Sequence, residues 1–341
     1  MDIRNTRALK SFAAQQLESA RDEKKIVLYY GCLVIGLTAL VTVARYALSL
    51  QIDQTGGLSQ MDTRSRLSAL RTILPLVQSL LAMCLEVGYM SAMLRIARGQ
   101  YASPNSLRLG FDRFWTLLRC SLIQGLLYTG IFLTGTYLAA MIFLATSWGR
   151  SFMEILTPIM ADASLLSGQL VLDDATALAL ADAMMPMMLI AVIVSCLLIL
   201  PFAFQFRMAN YVIIDKPGLG AFAALLESRK MMKGNCLKLL KLDLSWWWYF
   251  LVLLVINMVG NADLLLELLG IPLPISADAA YFLFFAVYLA LLLAVYYFLR
   301  NRMEVTYALA YDAVKPEEPK PNGVVLGNIF DLYRQNNDSG L

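Results

Sequence analysis

Six stretches of this chain, roughly 26–50, 69–97, 115–147, 183–214, 244–262 and 279–312, are apolar over close to the length that crosses a bilayer. A helix rises 1.5 Å per residue, so about 20 apolar residues cover a hydrocarbon core about 30 Å thick. Lipid offers backbone N–H and C=O groups no partner, so each such run must close its hydrogen bonds internally, as a helix. The pattern therefore predicts an all-α fold: a polytopic membrane bundle of about six transmembrane helices with amphipathic helices at its interfaces. Composition supports this. Hydrophobic residues make up 59% of the chain and charged residues 16%, with a mean hydropathy of +0.63; soluble domains carry about 25% charged residues. Several runs exceed the hydrocarbon thickness, which implies tilt or extension beyond the bilayer.

Charge is sorted along the chain rather than accumulated. The net charge is only +3, from 28 Lys and Arg against 25 Asp and Glu, so nucleic acid is not an expected partner. Of those 28 cations, 23 fall in the N-terminal segment, the linkers around 95–119 and 207–241, and the C-terminal end; only Arg45, Arg64, Arg66, Arg71 and Arg150 fall in the alternate linkers. The positive-inside rule then places both termini in the cytoplasm. The first 25 residues are polar, and the apolar run after Lys25 is too long for a signal-peptide core, so the chain is expected to keep it as a span. Three regions follow: an N-terminal cytoplasmic amphipathic helix (1–25), a six-span membrane domain (26–312) and a largely disordered cytoplasmic tail (313–341).

The chemistry available is narrow. There is no histidine, which removes the commonest general base and metal ligand together. Cys32, Cys84, Cys120, Cys196 and Cys236 form no CxxC pair and sit in or beside apolar runs, where cysteine packs as a small hydrophobe. No GxSxG, P-loop, HExxH or GxGxxG motif is present. The expectation is a protein that is not an enzyme, with no cofactor and no metal.

Glu86 stands alone inside the second apolar run. A charge at the centre of a span costs about 2.5–3.5 kcal/mol on insertion scales, so Glu86 is expected to face the bundle and bond a polar group from spans four to six. As a function it suggests a proton or substrate site; the plainer reading is a structural hydrogen bond. Pro201 interrupts the fourth run, and a proline removes a backbone donor and kinks a helix. Together Glu86 and Pro201 mark the candidate intramembrane polar site. Arg45, five residues from the end of its run, can snorkel to the interface.

Segments outside the spans also read as helical. Leu9, Phe12, Ala13, Leu17 and Ala20 form one apolar stripe in the N-terminal arm, and Phe152, Ile155, Leu156 and Ile159 another in the long outer loop. After Pro217 and Gly218, a row of Ala221, Leu225, Ser228 and Met232 suits packing. The neighbouring row of Phe222, Leu226, Arg229 and Lys233 starts apolar and ends cationic. Arg229, Lys230 and Lys233 are the candidate contacts to anionic headgroups on the cytoplasmic face, with Asp215 and Glu227 as competing partners inside the protein. The tail begins with a charged, proline-rich linker at 315–321. Beyond it lies a short apolar patch, Val324 to Tyr333, suited to docking a protein partner or resting on the membrane.

From Asn210 the chain reads Asn-Tyr-Val-Ile-Ile-Asp-Lys-Pro, then Ser228-Arg229-Lys230-Met231-Met232-Lys233-Gly234-Asn235, then Lys238 to Trp246. This resembles the signature of a bacterial integral-membrane family of unknown function, the one numbered 975. The resemblance extends to Leu85-Glu86-Val87-Gly88, to Leu107 through Phe114 and to the N-terminal helix, covering most of 5–312. It implies a bacterial inner-membrane location without an established activity. Two departures stand out: Pro201-Phe202-Ala203 replaces the family's Pro-Gly-Ile, and an insert at about 140–190 lengthens the outer loop. Read physically, Asp215, Pro217 and Gly218 make a turn that starts a helix, and Gly234 ends it. Residues 104–119 could form a similar elbow. The resulting expectation is an accessory or scaffolding membrane protein. The alternative is a small transporter or lipid-handling protein with its site between Glu86 and the Pro201 kink.

Overall fold

The structure is a computed structural model, described here for residues 5–20, 22–54, 61–161, 174–262, 266 and 276–316. Those residues are helical with no strand among them. In chain order the helices are α1 (Thr6–Ser19), α2 (Glu23–Gln54), α3 (Met61–Ala97), α4 (Leu109–Asp112), α5 (Phe114–Leu144), α6 (Ser147–Ala161), α7 (Asp174–Phe206) and α8 (Ala209–Asp215). They continue with α9 (Ala221–Met232), α10 (Cys236–Leu244), α11 (Trp247–Gly260), α12 (Ala277–Val295) and α13 (Asn301–Val314). One π-helical turn, Tyr296–Arg300, joins α12 to α13. Five helical segments are long and apolar enough to cross a membrane, and a sixth arises if α10 and α11, bent by 58°, count as one broken span.

The spans overshoot the bilayer. At 1.5 Å per residue the 37-residue α3 is about 55 Å long. The excess extends past one end of the bundle, where α1, the 98–113 segment, α8 to α10 and α13 gather into a second layer. This basic end holds much of the fully buried core, including Leu9, Met93, Ile213, Met232 and Leu239. The spans instead expose leucines along their flanks, Leu126 at 78% and Leu189 at 65%, as lipid-facing helices do.

The amphipathic segments are helices, and all three turn an apolar row against protein. Leu9, Ala13 and Leu17 of α1 are buried where α1 packs on α13 and α3, so that stripe is covered by helices rather than laid on lipid. Phe152, Ile155 and Leu156 of α6 are half-buried against α5 and α7. On α9, Ala221, Leu225, Ser228 and Met232 are buried, as the packing row requires, while Phe222, Leu226, Arg229 and Lys233 stay exposed.

Pro201 is corrected. The helix runs through it unbroken from Asp174 to Phe206, and Pro201 faces outward. One missing N–H inside a long membrane helix is tolerated, because the neighbouring turns hold. The chain breaks instead at Arg207 and Met208, and Ser228 of α9 bridges that break: its hydroxyl donates to the Gln205 carbonyl (2.8 Å) and accepts from the Met208 N–H (3.2 Å). The turn at Pro217 is also placed differently. The Leu219 N–H bonds the Lys216 carbonyl (3.2 Å), and Gly218 has φ of +99°. That is a type II turn with Pro at its second position and Gly at its third. The α9 helix starts after it, at Ala221, and Gly234, with φ of +82°, follows its last turn. The apolar patch at 324–333 and the rest of the tail beyond 316 lie outside the described residues.

Candidate functional site

Five polar side chains, Arg300, Glu304, Tyr307, Tyr311 and Lys315, recur at three- and four-residue spacing from the π-helical turn through α13 to its C-cap, so they share one face. Each meets a different part of the chain. Arg300 donates to both Glu86 carboxylate oxygens at 2.5 Å, and the Tyr30 hydroxyl donates to the same carboxylate at 2.6 Å. One turn on, Tyr211 donates to Glu304 (2.9 Å). Tyr307 donates to Asp243 (2.6 Å), which also holds Arg207. Tyr311 and Lys315 both bond Asp215, at 3.1 and 2.8 Å. The last helix thereby ties together α2, α3, α8 and α10.

Aromatic rings pack around the deepest pair. Tyr30 stacks on Tyr89 with centroids 4.4 Å apart, and the Arg300 guanidinium lies 4.6 to 5.6 Å from the rings of Tyr296, Tyr30 and Tyr89. A cation so placed is attracted by the ring quadrupoles, which offsets part of what it loses in hydration. The Glu86 side chain keeps 37% of its surface accessible against 13% for Arg300, so the carboxylate sits at the edge of the cluster.

Glu86 thus bonds Tyr30 of span one and Arg300 of span six rather than a neutral group alone. A second carboxylate, Glu304, and a cation, Arg300, lie one helical turn apart beside it, although Glu86 stands alone within its own run. The helix carrying Arg300 ends only at Val314, 14 residues on, which sets Arg300 about 21 Å inside its end. Counted along the sequence alone, Arg300 looked like one more terminal cation. The 300–304–307–311–315 spacing was the signal that could have exposed the ladder.

At the open edge of the ladder, Arg98 bridges Asp312 and Asp215, with 2.7 Å contacts to each. The Asp312 bonds, followed by those of Asp215, hold its guanidinium above the usual arginine range despite partial burial. Lys10 of α1 donates to the Ser245 carbonyl (2.6 Å), capping α10, and lies 4.0 Å from the Trp246 ring centre. Burial pushes its ammonium below the usual lysine range.

The motif residues divide. Asp215 belongs to the ladder, while Pro217, Gly218 and Gly234 shape the ends of the α9 elbow. Arg229, Lys230 and Lys233 are exposed and form no ion pair among the described residues. Both acids that could have claimed them are engaged elsewhere: Asp215 with Arg98 and Lys315, and Glu227 with Lys216 at 2.6 Å. Pro201 is not part of the ladder. Sequence reasoning also passed over a close approach at Gly88 and Gly110. A Cβ on Gly88 would lie 2.2 Å from the Leu107 carbonyl oxygen, and one on Gly110 would lie 1.8 Å from that of Cys84. Backbone therefore meets backbone where the 104–112 elbow crosses α3, in reciprocal fashion.

Among the described residues no group of three Cys, Asp or Glu side chains converges as a metal site. A cavity of about 650 Å³ opens between α1, the start of α2 and the α12–α13 junction, and Glu86 does not line it. A family model described as a protein of unknown function (DUF975) matches residues 1–303. No curated protein and no solved structure matches.

Proposed function

The chain belongs to that DUF975 family of unknown function, and we propose that it serves the bacterial inner membrane as a non-enzymatic accessory or scaffolding protein. In this reading both termini are cytoplasmic, and the α9 elbow presses Arg229, Lys230 and Lys233 onto anionic headgroups. One observation carries it: these three cations are exposed and form no ion pair among the described residues, while Asp215 and Glu227 are engaged by other cations. Exposed Phe222 and Leu226 precede them on the same helix, so the elbow offers lipid an apolar foot and a basic heel. Each cation near an anionic surface contributes about 1 kcal/mol, so three amount to about 3 kcal/mol of attachment. The ladder supports the structural half of the reading, since its charged groups are spent on one another. A protein partner would dock through the tail beyond 316.

The test replaces Arg229, Lys230 and Lys233 with Gln and compares stability in anionic and zwitterionic liposomes. A loss confined to anionic vesicles is expected; an equal loss in both would leave a clasp and no headgroup contact. Orientation is tested by cysteine labelling at positions 60 and 170 in a cysteine-free background, where access from the cytoplasmic side would reverse the topology.

A second reading has its own observation. The π-helical turn that delivers Arg300 to the partly accessible Glu86 is a geometry often found at functional sites. It supports a small transporter or lipid-handling protein centred on Glu86, Arg300 and Tyr30, without Pro201. Uptake of water-soluble carbodiimide at Glu86 in the folded protein, blocked by a substrate, would favour it over scaffolding.

A further inference from the structure

At the end of the bundle opposite the basic layer, cations are scarce, and two of them meet. Arg45, near the far end of α2, and Arg71, in the outer part of α3, line one pocket of about 210 Å³ with Thr42, Tyr46, Ser49 and Tyr281. Thr42, Arg45, Tyr46 and Ser49 fall at i, i+3, i+4 and i+7, so α2 presents them on one face. A single arginine near a span end needs no partner, because its stem snorkels to the interface. Two arginines that line the same pocket are a different matter, since like charges repel.

Neither Arg45 nor Arg71 forms an ion pair or hydrogen bond among the described residues. Of the neighbouring acids, Asp62 pairs with Arg66 at 2.9 Å, while Asp278 accepts a hydrogen bond from the pocket residue Tyr46 and forms no ion pair with either arginine. The Thr42 and Tyr281 hydroxyls likewise make no hydrogen bond among the described residues, while that of Ser49 donates to the Tyr46 carbonyl (2.7 Å). Stacking of Tyr281 along Phe285, with parallel rings 6.2 Å apart, steadies the phenol at the pocket wall.

We propose that this pocket binds a phosphate-type oxyanion, clamped by the Arg45 and Arg71 guanidinium groups, with the Thr42 and Tyr281 hydroxyls as further donors. Planar guanidinium forks match the oxygen geometry of phosphate, and the repulsion that separates two free arginines becomes attraction once an anion sits between them. Size narrows the ligand. A pocket of about 210 Å³ holds about seven waters, below the roughly 300–1,000 Å³ of sites that enclose a small organic molecule. It fits one phosphoryl group. That group has two sources: the phosphate of a membrane lipid headgroup, or free inorganic phosphate.

Thermal unfolding of the full chain in neutral detergent tests the proposal, with titrations of inorganic phosphate and of short-chain phosphatidylglycerol, and chloride at matched ionic strength as the control. A saturable rise in Tm with at least one ligand is expected, and Arg45→Gln with Arg71→Gln should raise the half-saturating concentration at least tenfold. A rise with the lipid alone assigns the site to a headgroup, and a rise with phosphate as well assigns it to the free anion. Arg150→Gln, at another exposed cation, should leave half-saturation unchanged. If the double glutamine variant fails to fold, lysine at both positions keeps the charge but loses the forks and should still weaken binding measurably. Absence of a saturable rise with either ligand, or equal binding by the arginine variants, or an equal loss in Arg150→Gln, overturns the site.

Discussion

Where α5 crosses α7, the two helices come together through small residues: a Cβ added to Gly135 would lie 2.6 Å from the Ser195 hydroxyl oxygen and 3.0 Å from the Ser195 Cα. Along α13, by contrast, every helical turn reaches across to a partner through charge or a phenol. Both arrangements answer the same difficulty. Lipid tails are as apolar as leucine, so burying one leucine-rich face against another gains little in a membrane. The α5–α7 pair relies on dispersion, which needs the backbones close. The α13 ladder relies on polar groups that would otherwise stand unpaired in or near lipid, where each is costly. The first device holds helices together over many nearly equivalent positions; the second fixes one register, because a shift of a single residue would part Arg300 from Glu86 and Tyr307 from Asp243.

If that distinction is right, the largest loss should come from half-breaking the ladder. Arg300→Met leaves Glu86 without its cation and is expected to cost about 3 kcal/mol of stability in detergent, the scale of the cost of an unpaired charge inside a span. Adding Glu86→Leu should recover most of that loss, and a double variant as unstable as the single would show that the pair is not the unit. Next comes the dispersion-held crossing. Gly135→Val forces α5 off Ser195 and should cost about 1–3 kcal/mol, the usual range for overpacking, without any recovery by a polar substitution nearby. Tyr307→Phe removes one hydrogen bond to an acid that Arg207 still holds, so about 1 kcal/mol is expected from the same unfolding measurement. Smallest of all is Ser195→Ala. The buried Ser195 hydroxyl oxygen has no hydrogen-bond partner among the described residues, so its loss should leave stability unchanged or slightly raised. A loss above about 1 kcal/mol there would mean that the crossing too depends on a polar contact.

The candidate site was half legible. Glu86 announces itself, since a carboxylate inside an apolar run has few tolerable fates. Its partners do not, because Arg300 lies 214 residues away in sequence and no local pattern ties the two. Ser228 opens one of the stretches that carry the family resemblance, but its work, bridging the break between α7 and α8, emerges only when α9 folds back against that break. Pro201 shows the opposite failure. A local rule pointed to an interruption there, and the helix runs through it unbroken. Gly88 and Gly110 look like ordinary glycines in a helix and a turn until the two backbones meet.

What the sequence determined by itself is the class of fold, the rough limits of most of the spans, and the segregation of basic residues toward alternate linkers. These depend on transfer of side chains between water and lipid, a property each stretch of chain carries alone. Only the tertiary structure decided which polar groups are spent on one another and which stay available. Pairing depends on distances between residues far apart in sequence, so Asp215 and Glu227 were free to neutralise the α9 cations until Arg98, Lys315 and Lys216 took them first.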